Sequence, residues 1–187
     1  MVKRLLDIVL AATLLMLLSP LFFAVMFAVS LEEKGDIFFK QRRSGKDGRL
    51  FTIYKFRTML PETPNVASAQ LKQLQGFITP TGRFLRKTSL DELPQLLNVL
   101  KGDMSFVGPR PVIPSETRLL TLRHQVGADK VRPGITGLAQ VLGRDDLSVE
   151  DKAHYDGEYV KRQCFWLDVR ILLASVSTVL KREGVSE

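Results

Sequence analysis

The sequence predicts an α+β chain: a proline-broken apolar helix hairpin in the membrane, then a small, mainly helical cytosolic body built around a β-hairpin. Three observations carry that reading. Leu5 to Leu31 carries a single charge, Asp7, and is rich in Leu, Ile, Val, Phe and Ala. Two strand-like runs flank a glycine-containing turn between Asp36 and Met59. From Phe77 onward, short helical patterns alternate with Gly and Pro punctuation.

The apolar run is long enough to cross a bilayer. A cleavable signal peptide is excluded because the run is too long and no small-residue cleavage site precedes Glu32-Glu33-Lys34. Ser19-Pro20 falls in its middle, and a proline there kinks or breaks a helix. Lys3 and Arg4 precede the run, while Lys34, Lys40, Arg42 and Arg43 follow it. Basic residues favour the cytoplasmic side, so basic flanks at both ends fit a re-entrant hairpin broken at Ser19 and Pro20. A kinked full span is the rival. The division expected is residues 1–34 for the membrane segment and 35–187 for the cytosolic, membrane-associated body.

In the body, Ile37-Phe38-Phe39 and Leu50 to Tyr54 read as strands joined through Ser44 to Gly48. Alternation puts Phe51, Ile53 and Lys55 on one face of the second strand, so a lysine ends an apolar face. The formal charge is +7, and Lys40 to Arg57 holds seven basic residues against Asp47 alone. Such a block asks for a polyanion: an anionic membrane, a phosphorylated substrate or nucleic acid. Cys164 is the only cysteine, which excludes an internal disulfide. His124 and His154 lack metal-ligand spacing, and no phosphate-binding glycine fingerprint of the P-loop or dinucleotide type is present.

Pro61 to Gln75 is polar and weakly patterned, a loop or short helix. Phe77 to Thr88 then brings Arg83, Arg86 and Lys87 up to Ser89-Leu90-Asp91-Glu92-Leu93-Pro94. Proline fits only the first turn of a helix, so Asp91 is expected at or beside the N-cap with Glu92 one residue further in. There the helix dipole and free N–H groups favour ionised carboxylates. Most acidic pairs at helix starts do nothing more than that; the neighbouring cations are what mark this pair out.

Beyond it, Pro109 and Pro111 lock the backbone on both sides of Arg110, and a rigidly presented arginine suits phosphate recognition. Gly108 allows close approach or an unusual φ. Ser115 to Gln125 is a short helix, and Val131 to Arg144 is a glycine-punctuated loop with a short strand carrying Arg132 and Arg144. Ser148-Val149-Glu150-Asp151 opens a helix that carries Asp156. The last helix starts at Phe165-Trp166 and places Leu167, Ile171, Ala174 and Thr178 on one side; its aromatic start and Lys181-Arg182 end allow an interfacial amphipathic helix.

Taken in order, Ser19-Pro20, Tyr-Lys-Phe-Arg-Thr-Met (54–59), Ser-Leu-Asp-Glu-Leu-Pro-Gln-Leu (89–96), Asn98 to Pro111 and Arg-Pro-Gly-Ile-Thr-Gly-Leu-Ala-Gln-Val (132–141) resemble the bacterial monotopic phosphoglycosyl transferases, or bacterial sugar transferases. The likeness covers essentially the whole chain, in the short catalytic form. It implies transfer of a phosphosugar from a UDP-sugar to polyprenol phosphate, giving polyprenol diphosphate-sugar and UMP. It also implies Mg²⁺ as cofactor, a re-entrant helix, and residence on the cytoplasmic face of the bacterial inner membrane. By resemblance, Asp91 is the nucleophile and Mg²⁺ contact, Glu92 the adjoining acid/base, and Arg110 a phosphate binder. Lys55 and Arg86 are active-site cations, and substrate-phosphate binding extends to Arg132, Arg144 and Asp156. The implied partners are the UDP-sugar, polyprenol phosphate and membrane lipids, with no nucleic acid; a homodimer stays open. The competing reading is a non-catalytic, membrane-anchored module that binds anions.

Overall fold

A computed structural model describes residues 2–32, 36–63, 76–143 and 146–181, with side chains placed up to residue 177. Helix α1 (Val2–Leu17) and helix α2 (Ser19–Glu32) meet at Leu18 with a bend of 64°. Ser19 Oγ donates to the Met16 carbonyl at 2.8 Å, occupying an acceptor that the break exposes. The break therefore sits where a Ser-Pro pair is expected to put it. Among the described residues no single helix is long and apolar enough to cross a membrane; only the bent pair passes on length and composition.

Both arms of the pair pack on the same body. Arg4 donates to the carbonyls of Val99 and Leu100 at 2.5 and 3.0 Å, Lys3 pairs with Asp168 at 2.6 Å, and buried Asp7 accepts from Ser105 Oγ and Phe106 N at 3.1 and 3.3 Å. From the other arm, Glu32 Oε1 accepts from Thr81 N at 2.6 Å, while Val25 and Val29 join Phe56 and Leu85 in one apolar cluster. Much of the remaining surface of the pair is apolar and uncovered, including Leu5, Val9, Met16, Leu17, Phe23, Phe27 and Leu31.

Strands β1 (Phe38–Ser44) and β2 (Leu50–Phe56) form the expected antiparallel hairpin, with the first strand longer than predicted. Phe39 lies opposite Lys55, Gln41 opposite Ile53 and Arg43 opposite Phe51. Helix α3 (Pro80–Thr88) starts at Thr79, whose hydroxyl accepts from Gly82 N, and ends at Ser89. Helix α4 (Gln95–Lys101) follows and closes on Gly102 at φ 94°, a left-handed position that suits glycine.

Two elements depart from the sequence expectation. Strand β3 (Ser105–Val107) pairs in parallel with β4 (Gly134–Thr136), and helix α6 (Leu138–Leu142) follows where only loop is expected. The β3–β4 pair needs glycine: a Cβ on Gly108, Gly134 or Gly137 would collide with the neighbouring backbone. Gly108 is thus used for close approach, not for positive φ.

Helix α5 (Thr117–Gln125) lies between these two strands in the chain. Helix α7 (Val149–Arg162) opens on the expected cap, with Ser148 Oγ accepting from Asp151 N at 3.0 Å. Helix α8 (Phe165–Lys181) buries Ile171 and leaves Phe165, Trp166, Leu173 and Val176 exposed. The main core gathers Ile53, Leu96, Val99, Met104, Val107, Tyr159 and Ile171 around the strands. The chain is therefore α+β, as predicted. Residues 64–75, which hold most of the predicted loop or short helix, and Arg144 lie outside the described residues.

Candidate active site

Asp91 and Glu92 occupy a 3-10 turn, Leu90–Glu92, between α3 and α4. Ser89 takes φ 57°, the left-handed region that non-glycine residues rarely enter, and so turns the chain sharply out of α3. This corrects one expectation. Asp91 makes no helix cap, because α4 begins only at Gln95 with Pro94 at its N-cap position. The tight turn uses the intervening residues and sends both carboxylates towards the end of β2.

Asn98, completely buried in α4, fixes that strand. Its Oδ1 accepts from Tyr54 N at 3.1 Å and its Nδ2 donates to Thr52 O at 2.7 Å. The next residue, Lys55, then reaches the dyad: Nζ lies 2.7 Å from Glu92 Oε1 and 3.8 Å from Asp91 Oδ2. Arg110 Nη2 stands 3.5 Å from the same Glu92 oxygen. Arg86, with Nε donating to Thr58 Oγ1 at 3.0 Å, acts on Asp91 through its charge.

The two carboxyls respond oppositely. Burial favours the neutral form of each. At Glu92 burial is outweighed by Lys55 and Arg110, which hold the pKa at about 2. At Asp91 burial prevails: the pKa is raised despite Lys55, Arg86 and Arg110, and the Glu92 charge pushes it further up. One carboxylate is locked ionised while its neighbour keeps more basicity than an ordinary aspartate. For a metal, the described residues offer no group of three or more His, Cys, Asp or Glu side chains. Among the described residues of this cluster, Asp91 and Glu92 supply the hard oxygen donors that would suit Mg²⁺.

Thus Lys55, Arg86, Asp91, Glu92 and Arg110 come together. Arg132 does not join them: its Nε donates to Gly102 O at 2.8 Å, at the far end of α4 from the dyad. Asp156 is 1% exposed and is taken up by Arg123, with Nε and Nη2 at 2.7 and 2.6 Å from Oδ2. Arg123 in turn donates from Nη1 to the Arg110 carbonyl at 2.8 Å. Asp156 therefore braces the segment that presents Arg110 and is not itself turned towards a ligand. Ser19 and Pro20 stand at the helix break, away from this cluster.

Sequence reading misses Asn98 and Arg123, which hold the elements of the site in place, and Arg43, which stands beside the Pro-Arg-Pro segment. Arg43 stands out in the sequence only as one member of the basic block, although strand parity with the observed register puts it on the Lys55 face. Nothing local marks Asn98 for β2, 44 to 46 positions away, or Arg123 for Asp156, 33 positions away.

Residues 1–182 match the family described as bacterial sugar transferase. The chain is 44% identical over 185 residues to the uncharacterized sugar transferase EpsL of Bacillus subtilis, covering 99% of this chain and 90% of that one. It is 39% identical over 200 residues to an undecaprenyl-phosphate galactose phosphotransferase of Salmonella typhimurium, covering 97% of this chain and 41% of that one. To the UDP-glucose:undecaprenyl-phosphate glucose-1-phosphate transferase of Escherichia coli it is 40% identical over 183 residues, covering 94% of this chain and 39% of that one. The chain therefore spans about two-fifths of the length of the last two relatives.

Replacing one member of a buried ion pair strands the other. Asp156→Asn is expected to cost about 3 to 5 kcal/mol in thermal or denaturant unfolding, and the double change Arg123→Met with Asp156→Leu to recover most of it. A loss below about 1 kcal/mol for Asp156→Asn would show that the pair does not brace the segment.

Proposed function

Because this chain belongs to the bacterial sugar transferase family, we propose that it moves a sugar phosphate from a UDP-sugar to polyprenol phosphate. The products are polyprenol diphosphate-sugar and UMP, formed through a covalent intermediate on Asp91. The observation that carries the reading is the unequal dyad: an ionised Glu92 pinned by Lys55 beside an Asp91 of raised basicity, ringed by cations. The UDP-glucose and undecaprenyl phosphate of the Escherichia coli relative, and the undecaprenyl phosphate of the Salmonella relative, support it.

In the first half-reaction an Asp91 oxygen attacks the phosphorus that bears the sugar. The P–O–P bond breaks, and its electron pair leaves on the oxygen of UMP. The sugar phosphate is left as an acyl phosphate on Asp91. Lys55, Arg86 and Arg110 offset the charge that builds on the transferred and departing phosphates. In the second half-reaction an oxygen of polyprenol phosphate attacks the same phosphorus, and the bond to Asp91 breaks to return the carboxylate.

With its pKa near 2, Glu92 is a weak base while Lys55 and Arg110 face it alone. After UMP has left, the phosphate carried on Asp91 and the incoming polyprenol phosphate compete for both cations, which restores basicity to Glu92. It then takes the proton of a monoprotonated polyprenol phosphate. Asp91 would hold Mg²⁺, which would supply further neutralisation of the diphosphate charge.

The membrane reading completes the picture. Residues 1–34 form a re-entrant segment, and 35–187 form the body on the cytoplasmic face of the bacterial inner membrane. Support comes from the attachment of both arms to one body, Arg4 on α4 and Glu32 on α3, the arrangement expected when both ends of the segment share one side. The exposed Phe165, Trp166 and Leu173 of α8 suit a helix lying in the interface. A dyad held there meets a lipid phosphate and a soluble nucleotide at once.

Two measurements test this. Screening UDP-sugars for UMP release with polyprenol phosphate and Mg²⁺ identifies the donor, and Asp91→Asn is expected to lower that release roughly a thousandfold or more. Release untouched by the substitution removes Asp91 as nucleophile, and binding of anions without any release favours the non-catalytic module. The pH profile of kcat/KM tests the electrostatics. Its acid limb is expected above the ordinary aspartate range, and Arg86→Gln, by removing a cation that lowers the Asp91 pKa, moves that limb to higher pH. A limb that stays in place or moves down contradicts the assignment.

A further inference from the structure

Among the described residues, Arg43 is a cation on the dyad side of the hairpin for which the transfer chemistry has no use so far. The register puts Arg43 and Lys55 on the same face, with Arg43 opposite Phe51 and Lys55 opposite Phe39. Four residues separate them along the strands, about 13 Å. Arg43 Nη1 donates to Pro111 O at 3.4 Å, and the next residue, through Ser44 N, donates to Val112 O at 2.9 Å. These contacts bring the guanidinium up to the Pro-Arg-Pro segment from the turn half of the hairpin.

Its surroundings are costly for an arginine. Burial and the nearby Arg110 charge depress its pKa to about 10, with Glu116 and Glu92 only partly compensating. Its Nε is buried and has no hydrogen-bond partner among the described residues. A buried unmade donor and a neighbouring like charge both destabilise the site, and a single oxyanion between the two guanidiniums relieves both.

We infer that Arg43 is a phosphate-binding residue of this site, acting with Arg110 to hold the phosphate that departs with the nucleotide. The inference rests on the transferase reading above. A phosphate ester could come from the nucleotide or from the lipid, and position decides between them. The Phe38–Phe56 end of the hairpin packs on Phe22 of α2. Lys55 adjoins that end, and Arg86 follows Leu85, which packs with Val25 and Val29 of α2. Arg43 stands towards the turn end, away from α2. A lipid phosphate rising beside α2 meets Lys55 and Arg86, whereas a nucleotide from solution is left to Arg43 and Arg110.

The test is product inhibition by UMP, using the full chain in detergent or nanodiscs, with uridine as the phosphate-free control. Arg43→Gln is expected to raise the UMP inhibition constant roughly 10- to 100-fold, the size of one charge-assisted hydrogen bond, with uridine inhibition and the KM for polyprenol phosphate changed less than about twofold. Arg43→Lys keeps the charge without the planar fork and is expected to raise it a few-fold; it decides the matter if the glutamine variant does not fold. An unchanged UMP constant in a folded variant overturns the inference, whether the loss appears in melting temperature alone or in the KM for the lipid phosphate. If the wild-type chain turns over normally while these variants bind UMP unchanged, only the Arg43 assignment falls. If the wild type forms no UMP from any UDP-sugar, the underlying reading falls with it.

Discussion

The ammonium of Lys55 sets how two adjacent carboxyls share their charge. Asp91 and Glu92 are neighbours in one short turn, both largely withdrawn from water, and without a nearby cation neither would readily ionise. Lys55 lies 1.1 Å closer to Glu92 than to Asp91, at 2.7 against 3.8 Å. That placement, with Arg110 on the same Glu92 oxygen, favours the ionised form of Glu92, while burial raises the Asp91 pKa. The position of Lys55 depends on the end of β2, and several contacts hold that strand.

Several backbone constraints meet there. Asn98 ties β2 to α4 through two hydrogen bonds, one at Thr52 and one at Tyr54, just before Lys55. Gly82 lets α3 press directly on the Thr58 backbone, which brings Arg86 and Thr58 Oγ1 into contact. Gly108, Gly134 and Gly137 let β3 and β4 approach closely enough to deliver Pro109-Arg110-Pro111 beside the dyad. The buried Asp156–Arg123 pair then fastens the Arg110 carbonyl from behind. The cluster is thereby built without a glycine-rich phosphate loop, from side chains that separate elements hold in place.

How much of this is legible in the sequence depends on the range of the interaction. The helix break at Ser19-Pro20, the hairpin around Ser44 to Gly48 and the Ser148 cap are local matters of turn chemistry, and they stand where the residues put them. Asp91, Glu92 and Arg110 sit in motifs with their own marker, an acidic pair or flanking prolines, while Lys55 at a strand end and Arg86 in the cationic run before the pair are singled out by the family resemblance. The expected Asp91 cap fails because Ser89 enters the left-handed region, a choice local propensity argues against. Strand β3 is only three residues long and exists through its parallel partner, so no periodicity announces it. Arg132 and Asp156 look like site residues by type, yet a distant carbonyl and a distant arginine claim them. Pairings of that kind follow from the folded chain alone.

The claim on which the chemistry depends is that Asp91 becomes covalently bonded to the sugar phosphate. Intact-mass measurement of the full chain, mixed with its UDP-sugar donor in the absence of polyprenol phosphate, examines that bond directly. An added mass of one sugar phosphate, mapped to the peptide containing Asp91 and discharged on adding polyprenol phosphate, is the result predicted. Turnover at the normal rate with no adduct at any time after mixing, or an adduct on another residue, would contradict it.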